Sequence, residues 1–231
     1  MSSTKNRWDR LARPYRWLEY ALFWRALERC RFGLIPHLAQ ARRVLTIGEG
    51  DGRFVAELVR QMPHVQVDCV EGSAAMIARA RARLPEGARV RFHHADALQW
   101  EYPDGAYDAV VTCFFLDCFT EDSLRRWMPR VVRALGPRGR WLVTEFRPAG
   151  PGLRRLWRRL LLATMYRFFG WTAGLQAQHL PDWAGVLSGL GCESVEDAAS
   201  RSSLLESSVW QVAAVPSSAA GAAPTRRFEA V

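Results

Sequence analysis

The chain has 231 residues, of which 49% are hydrophobic and 24% charged, which predicts a globular domain with a full core and excludes a disordered polymer. Its five cysteines stand apart without a Cys-x-x-Cys pair, which argues against a zinc site or a disulfide framework and favours a reducing compartment. The formal charge is +9 and almost wholly arginine, which fits nucleic acid, an anionic membrane or an anionic substrate, or only the composition of the source genome.

The first predicted element is an amphipathic helix over residues 15–32, because Trp17, Leu18 and Leu22 recur there at helical spacing. The residues before it are charged and lack the apolar run of a signal peptide. The apolar run "LLLATMY" in the later basic segment falls far short of the roughly 20 residues that span a bilayer. We therefore expect a soluble, cytoplasmic protein.

Short apolar runs then alternate with amphipathic segments through five units. The predicted strands are residues 44–47, 65–71, 88–96, 107–116 and 140–146. The predicted helices between them are residues 54–62, 73–84 and 121–135. Because parallel neighbours need crossover connections, this alternation predicts an α/β, Rossmann-like fold with a mostly parallel sheet and helices on both faces.

The pattern changes after Phe146. Residues 147–180 contain no acid and hold six arginines among large apolar side chains, which predicts a helical cap inserted before the end of the sheet. Such a cap could line an apolar acceptor pocket, rest on an anionic membrane surface or contact RNA phosphates. We favour the first interpretation, because the apolar content is too high for a surface that only binds phosphates.

The C-terminal part completes the sheet. A helix over residues 181–191 is closed by glycine, and strands are predicted over residues 192–200 and 202–215. The sequence thus predicts a single domain of residues 1–215 with seven strands. The small, polar and proline-bearing tail of residues 216–231 is predicted to be disordered.

The glycine-rich loop of residues 48–52, "GEGDG", lies between the first strand and the first following helix. A glycine turn in this place brings backbone N–H groups and a helix N-terminus toward a ligand at the carboxyl end of the sheet. Arg53 stands where the dinucleotide fingerprint has its third glycine, so the loop departs from that fingerprint. No Gly-Lys-Ser/Thr follows the loop, so a P-loop is excluded. Glu49 and Asp51 would repel a pyrophosphate, so a cationic ligand without phosphates, such as S-adenosylmethionine, suits the loop better.

Two further acids follow at the ends of the next strands. Glu71 ends the second strand about 20 residues after the loop, where an acid can accept hydrogen bonds from both ribose hydroxyls. Asp96 follows the third strand, where its carboxylate can accept a hydrogen bond from an adenine amino group.

These motifs resemble those of the class I S-adenosylmethionine-dependent methyltransferases, over roughly residues 8–215. The stretches that carry the resemblance are "VLTIGEGDG", "VDCVEGSAAMIARA", "VRFHHADAL" and "YDAVVTCFFLDCF". The N-terminal "WDRLARPYRWLEY" is similar to the start of small-molecule members, including the quinone C-methyltransferases. The motifs of the base N-methyltransferases and of the cytosine-C5 methyltransferases are missing.

The resemblance implies a set of residues at the cofactor, S-adenosylmethionine, and its product S-adenosylhomocysteine, with no metal. The implied cofactor-binding residues are Gly48, Glu49, Gly50, Gly52, Glu71, Gly72, Asp96, Ala97 and Cys113. The chain departs from the family at Thr46, where an acid often reaches the methionine amino group. Either Glu49 or Asp51 takes over that contact, or the contact with the methionine amino group is weaker in this chain.

Methyl transfer is an in-line displacement, so the protein mainly aligns donor and acceptor, and a base is needed only if a proton must leave early. The candidate catalytic residues are Asp117 after strand four, Tyr15 and His179. The expected acceptor is a small, apolar or aromatic molecule, and the expected assembly is a monomer or homodimer. Nucleic acid is not the expected partner, and peripheral membrane contact through the basic insert stays open. The alternatives are an RNA or protein methyltransferase and a non-catalytic binding protein.

Overall fold

The computed structural model describes residues 26–146, 181–198 and 205–213. The helices in these ranges are α1 (Ala26–Phe32), α2 (Arg53–Gln61), α3 (Ala74–Arg81), α4 (Glu121–Ala134) and α5 (Trp183–Gly189). The strands are β1 (Arg43–Ile47), β2 (Gln66–Glu71), β3 (Val90–His94), β4 (Tyr107–Cys113), β5 (Leu135–Phe146), β6 (Cys192–Ala198) and β7 (Leu205–Val212). Short 3-10 helices lie at Ile35–Leu38 and Leu116–Cys118.

The strands form one seven-stranded sheet in the order β3-β2-β1-β4-β5-β7-β6. The first five strands of that order run parallel, and β7 runs antiparallel to both β5 and β6. This arrangement confirms the predicted α/β fold with a mostly parallel sheet. Because the strand order reverses between β1 and β4, a crevice is expected outside the carboxyl ends of these two strands.

Apolar layers cover both faces of the sheet. On one face, α2 buries the side chains of Phe54, Val55 and Leu58. On the other face, α4 buries Trp127 and Met128 with the sheet residue Trp141. Each helix thus packs one apolar stripe against the sheet. This packing fixes the positions of the loops between the strands and the helices.

Two strand boundaries differ from the prediction. β4 ends at Cys113 instead of residue 116, because Phe114 has a left-handed φ of +54° that breaks the extended backbone. β5 begins at Leu135 instead of residue 140, so "GPRG" belongs to the strand segment. Ser73 is the N-cap of α3, since its side chain accepts a hydrogen bond from the Met76 N–H at 3.2 Å.

Several predictions lie outside the described residues. They concern the first part of the predicted N-terminal helix, the predicted helical cap of residues 147–180 and the tail of residues 216–231. The observed α1 falls within the predicted range of 15–32. Among the described helices, none is both long and apolar enough to cross a membrane.

Candidate cofactor site

The three glycines of the 48–52 loop have distinct surroundings. The φ angles of Gly48, Gly50 and Gly52 are +69°, +68° and +85°. Residues with a side chain rarely adopt this backbone conformation. A Cβ added to Gly48 would lie 2.1 Å from the Phe115 ring, and one added to Gly52 would lie 2.4 Å from the Cα of Ala80. A Cβ added to Gly50 would meet nothing within 4 Å. Gly48 and Gly52 therefore permit close packing, whereas Gly50 borders open space that a ligand could fill.

Glu71 is tied directly to this loop. The Gly50 N–H donates a hydrogen bond to Oε2 of Glu71 at 2.9 Å, and the Ser73 N–H donates to Oε1 at 2.9 Å. Burial raises the pKa of Glu71, and the backbone hydrogen bonds partly oppose this rise. Each carboxylate oxygen keeps a further lone pair, so the side chain can still accept hydrogen bonds from two ribose hydroxyls.

Glu49 is bound to the N-terminus of α2. Its Oε1 accepts a hydrogen bond from the Val55 N–H at 3.0 Å, one of the donors that the first turn of a helix leaves unpaired. Burial raises the pKa of Glu49 to about 8, while the nearby charge of Arg31 lowers it. Glu49 is therefore mostly protonated at neutral pH, and a cation placed beside it would favour ionisation.

Asp51 is buried and paired with two arginines. Its carboxylate accepts hydrogen bonds from Arg53 Nε at 3.2 Å and Arg83 Nη2 at 2.9 Å, and Arg53 also reaches Glu28 at 3.0 Å. The expectation that Asp51 could replace the acid missing at Thr46 is therefore wrong, because two guanidinium groups already neutralise it. Glu49 is the acid of this loop that is left for the role.

The third strand leads into a turn that carries Asp96 and Ala97. Asp96 is exposed, and its Oδ1 accepts a hydrogen bond from the Leu98 N–H at 2.9 Å. The carbonyl of Ala97 accepts hydrogen bonds from Tyr102 Oη at 2.8 Å and Trp127 Nε1 at 2.9 Å. The core therefore holds the turn in place, and any contact of Ala97 with a cofactor would have to come from its N–H group.

Gly72 lies between Glu71 and the N-cap residue Ser73. It is exposed, and its carbonyl lies 3.2 Å from His94 Nε2 at the end of β3. The ends of β2 and β3 are thereby joined next to the predicted ribose position.

Two candidate site residues lie at the end of β4 and just after it. Cys113 is the last residue of β4, and Asp117 lies in the following 3-10 helix. Cys113 is half-buried, and burial raises the pKa of its thiol to about 12, so the thiol is neutral at physiological pH. Asp117 is 7% exposed, so it is less open to an acceptor than its position in the sequence suggested. Tyr15 and His179, the other two catalytic candidates, lie outside the described residues.

Two charged residues near this site were not singled out by the sequence. Glu145 on β5 is fully buried, and its signal is an acid inside the apolar run "WLVTEF". Arg31 on α1 is 9% exposed, and its guanidinium lies 5.0 Å from the centre of the Phe114 ring. The charge of Arg31 lowers the pKa of both Glu49 and Cys113, which places α1 close to the glycine loop.

Residues 44–139 match the family model described as "Methyltransferase domain". Over 130 residues the chain is 32% identical to the demethylmenaquinone methyltransferase of Thermus thermophilus, a match that covers 56% of this chain and 58% of the relative. The corresponding enzyme of Deinococcus radiodurans is 35% identical over 119 residues, covering 48% of this chain and 46% of the relative. The chain therefore matches about half the length of these relatives.

Solved structures agree on the fold. The N-methyltransferase NodS from Bradyrhizobium japonicum, in complex with S-adenosylhomocysteine, superposes with a TM-score of 0.63 at 18% identity, covering 92% of this chain and all of that one. The fold is the Rossmann-like fold of these structures, and residues 44–139 are similar to a methyltransferase domain. The resemblance drawn from the sequence is thus confirmed: the chain is similar to the class I methyltransferases whose cofactor is S-adenosylmethionine, and among them to the quinone C-methyltransferases.

Proposed function

We propose that this chain transfers a methyl group from S-adenosylmethionine to a small, apolar or aromatic acceptor. The observation that supports this most directly is the open space beside Gly50, next to Glu71 and the neighbouring Glu49. The carboxyl oxygens of Glu71 can accept hydrogen bonds from the ribose hydroxyls of this cofactor. Glu49 is a neutral acid that the cationic amino acid end of the cofactor would ionise.

Each part of the cofactor has a proposed partner. Glu71 would accept hydrogen bonds from the ribose hydroxyls, and Asp96 would accept one from the adenine amino group. Glu49 would bind the methionine ammonium, and Arg31, which is near it in space, would bind the methionine carboxylate. The ammonium and the carboxylate of the methionine part would then each contact a protein group of opposite charge.

When bound, the cofactor supplies a methyl group already activated by the sulfonium, so the task of the protein is alignment and exclusion of water. The aromatic residues after β4 suit this task, since the rings of Phe114 and Phe146 are 5.0 Å apart and those of Phe115 and Phe119 are 4.9 Å apart. The burial of Asp117 favours a role in ordering this loop over direct proton transfer. Tyr15 and His179 stay proposals for the acceptor side.

The acceptor is proposed from the relatives and from these rings. The two relatives are named for methylation of demethylmenaquinone, an aromatic quinone, and the half-buried phenylalanines offer surfaces that suit such a ring. We propose a compound of this kind as the first acceptor to test. Peripheral contact with an anionic membrane through residues 147–180 would bring the protein to such a lipophilic acceptor.

The test has two stages. Calorimetric titration with S-adenosylhomocysteine, with NAD in parallel, should show binding of the first alone; binding of NAD alone would refute the assignment of the loop. Mass spectrometry should then detect a mass gain of one methylene in reduced demethylmenaquinone when S-adenosylmethionine is present. Methylation of bulk RNA instead, with binding that weakens steeply as salt rises, would favour the nucleic-acid alternative.

A further inference from the structure

The loop after β4 is held by three consecutive backbone N–H groups that all point to β5. The Phe114 N–H donates to the Thr144 carbonyl at 2.7 Å. The N–H groups of Phe115 and Leu116 both donate to Oε1 of Glu145, at 2.9 and 2.7 Å. Successive N–H groups after a left-handed residue, here Phe114, form a concave nest that binds one oxygen. One side chain therefore fixes the course of this loop.

The strain in the loop shows that something must hold it. A left-handed φ of +54° is costly for a bulky residue such as Phe114 and persists only where surrounding contacts impose it. The two hydrogen bonds to Glu145 immediately follow this residue. They are the contacts best placed to impose the conformation.

The surroundings of Glu145 disfavour ionisation of its carboxyl group. The side chain is fully buried, and within the described ranges its Oε2 has no hydrogen-bond partner. Burial and the charge of Asp117 raise the pKa of Glu145 well above its usual value, although the N–H groups oppose this.

The loop in turn touches the glycine loop of the cofactor site. A Cβ added to Gly48 would lie 2.1, 2.7 and 2.8 Å from three atoms of the Phe115 ring, so the ring lies directly against that glycine. The other side of the ring packs near Phe119 and Trp127, with ring centres 4.9 and 5.8 Å away. A shift of the Phe115 backbone would therefore push on the glycine loop or leave it unsupported.

We propose that Glu145 is a positioning residue: its Oε1 accepts the N–H groups of Phe115 and Leu116 and holds residues 114–118 so that Phe115 supports the glycine loop at Gly48. Glu145 would touch neither cofactor nor acceptor, and its effect would pass through the Phe115 ring. The last step, from loop position to cofactor affinity, rests on the proposed function. The first step, from Glu145 to the order of the loop, does not.

The test compares Glu145→Gln, Glu145→Ala and the surface control Glu57→Ala in the full chain. Without ligand, amide exchange at Phe115 and Leu116 should stay slow in Glu145→Gln, which keeps a neutral acceptor oxygen, and become at least about tenfold faster in Glu145→Ala. The affinity for S-adenosylhomocysteine should stay within about threefold of the wild type in Glu145→Gln and fall about tenfold or more in Glu145→Ala. The control should change neither quantity.

Different results would refute different parts of the proposal. Equal loss in Glu145→Gln and Glu145→Ala would overturn the role of a single acceptor oxygen, and unchanged exchange in Glu145→Ala would overturn the positioning role. If Glu145→Ala does not fold, slow exchange and near-normal affinity in Glu145→Gln still support the proposal, and their loss still refutes it. Failure of the wild type to bind S-adenosylhomocysteine would remove the proposed function, while the exchange data would still decide the role of Glu145 in the loop.

Discussion

Glu49 should lose its proton when the cofactor binds. In the free protein, burial holds its pKa at about 8, against the lowering effect of Arg31 and with the raising effects of Asp51 and Glu71. An ammonium group beside Glu49 would favour the ionised form and bring the pKa back toward its ordinary value of 4.5. Binding of S-adenosylhomocysteine below pH 8 should therefore release a proton from Glu49.

The size of the effect follows from the pKa. At pH 7 a group with a pKa of about 8 is about 90% protonated, so binding should release about 0.9 proton if the bound form is fully ionised. The linkage sign is that affinity rises with pH, by up to about tenfold per unit between pH 5 and pH 8, and becomes constant above that range. Glu49→Gln should remove both the proton release and this pH dependence, and should weaken binding most at pH 8.

Calorimetry measures the proton release directly. Titrations at one pH in phosphate and in Tris differ in observed enthalpy by the number of protons released times the difference in buffer ionisation enthalpy. A wild-type protein that releases no proton would refute the placement of the ammonium at Glu49. A release that persists unchanged in Glu49→Gln would assign the proton to another group.

Two further substitutions test the same site. Glu71→Ala should weaken binding of S-adenosylhomocysteine by about tenfold or more without unfolding the chain, because two hydroxyl partners are lost; unchanged affinity by calorimetry would remove the ribose assignment. Gly50→Val should abolish that binding at a folding cost mainly from its positive φ, since nothing lies within 4 Å of the added Cβ. Gly52→Ala should instead lower the thermal midpoint, because its Cβ would lie 2.4 Å from Ala80; equal midpoints for the two variants would contradict this division of roles.

The strand and helix pattern was readable from the sequence because it depends on local spacing. Val44 to Ile47 form a short apolar run before glycine, and Phe54, Val55 and Leu58 form one helical face, so β1 and α2 were predicted close to their observed bounds. The loop glycines and Glu71 were predictable for the same reason. Their positions relative to a strand end fix their place at the edge of a parallel sheet.

The tertiary structure decided which acid serves which purpose. Glu49 and Asp51 stand two residues apart in the same loop, yet Asp51 is neutralised by Arg53 and Arg83 while Glu49 caps α2 in a buried place. Arg83 is 32 residues away from Asp51 in the chain, so no local pattern indicates the pairing.

The roles of Glu145 and Phe114 likewise come only from the fold. Glu145 is 30 residues from Phe115, whose N–H group it binds. The left-handed backbone at Phe114 could not be predicted, because that position is not a glycine. The sequence by itself therefore determined the fold class, the glycine loop and the place of Glu71 at the end of β2, because each depends on neighbours in the chain. Burial, charge state and long-range hydrogen bonds depend on elements that meet only after folding, and these properties decided how the site is held together.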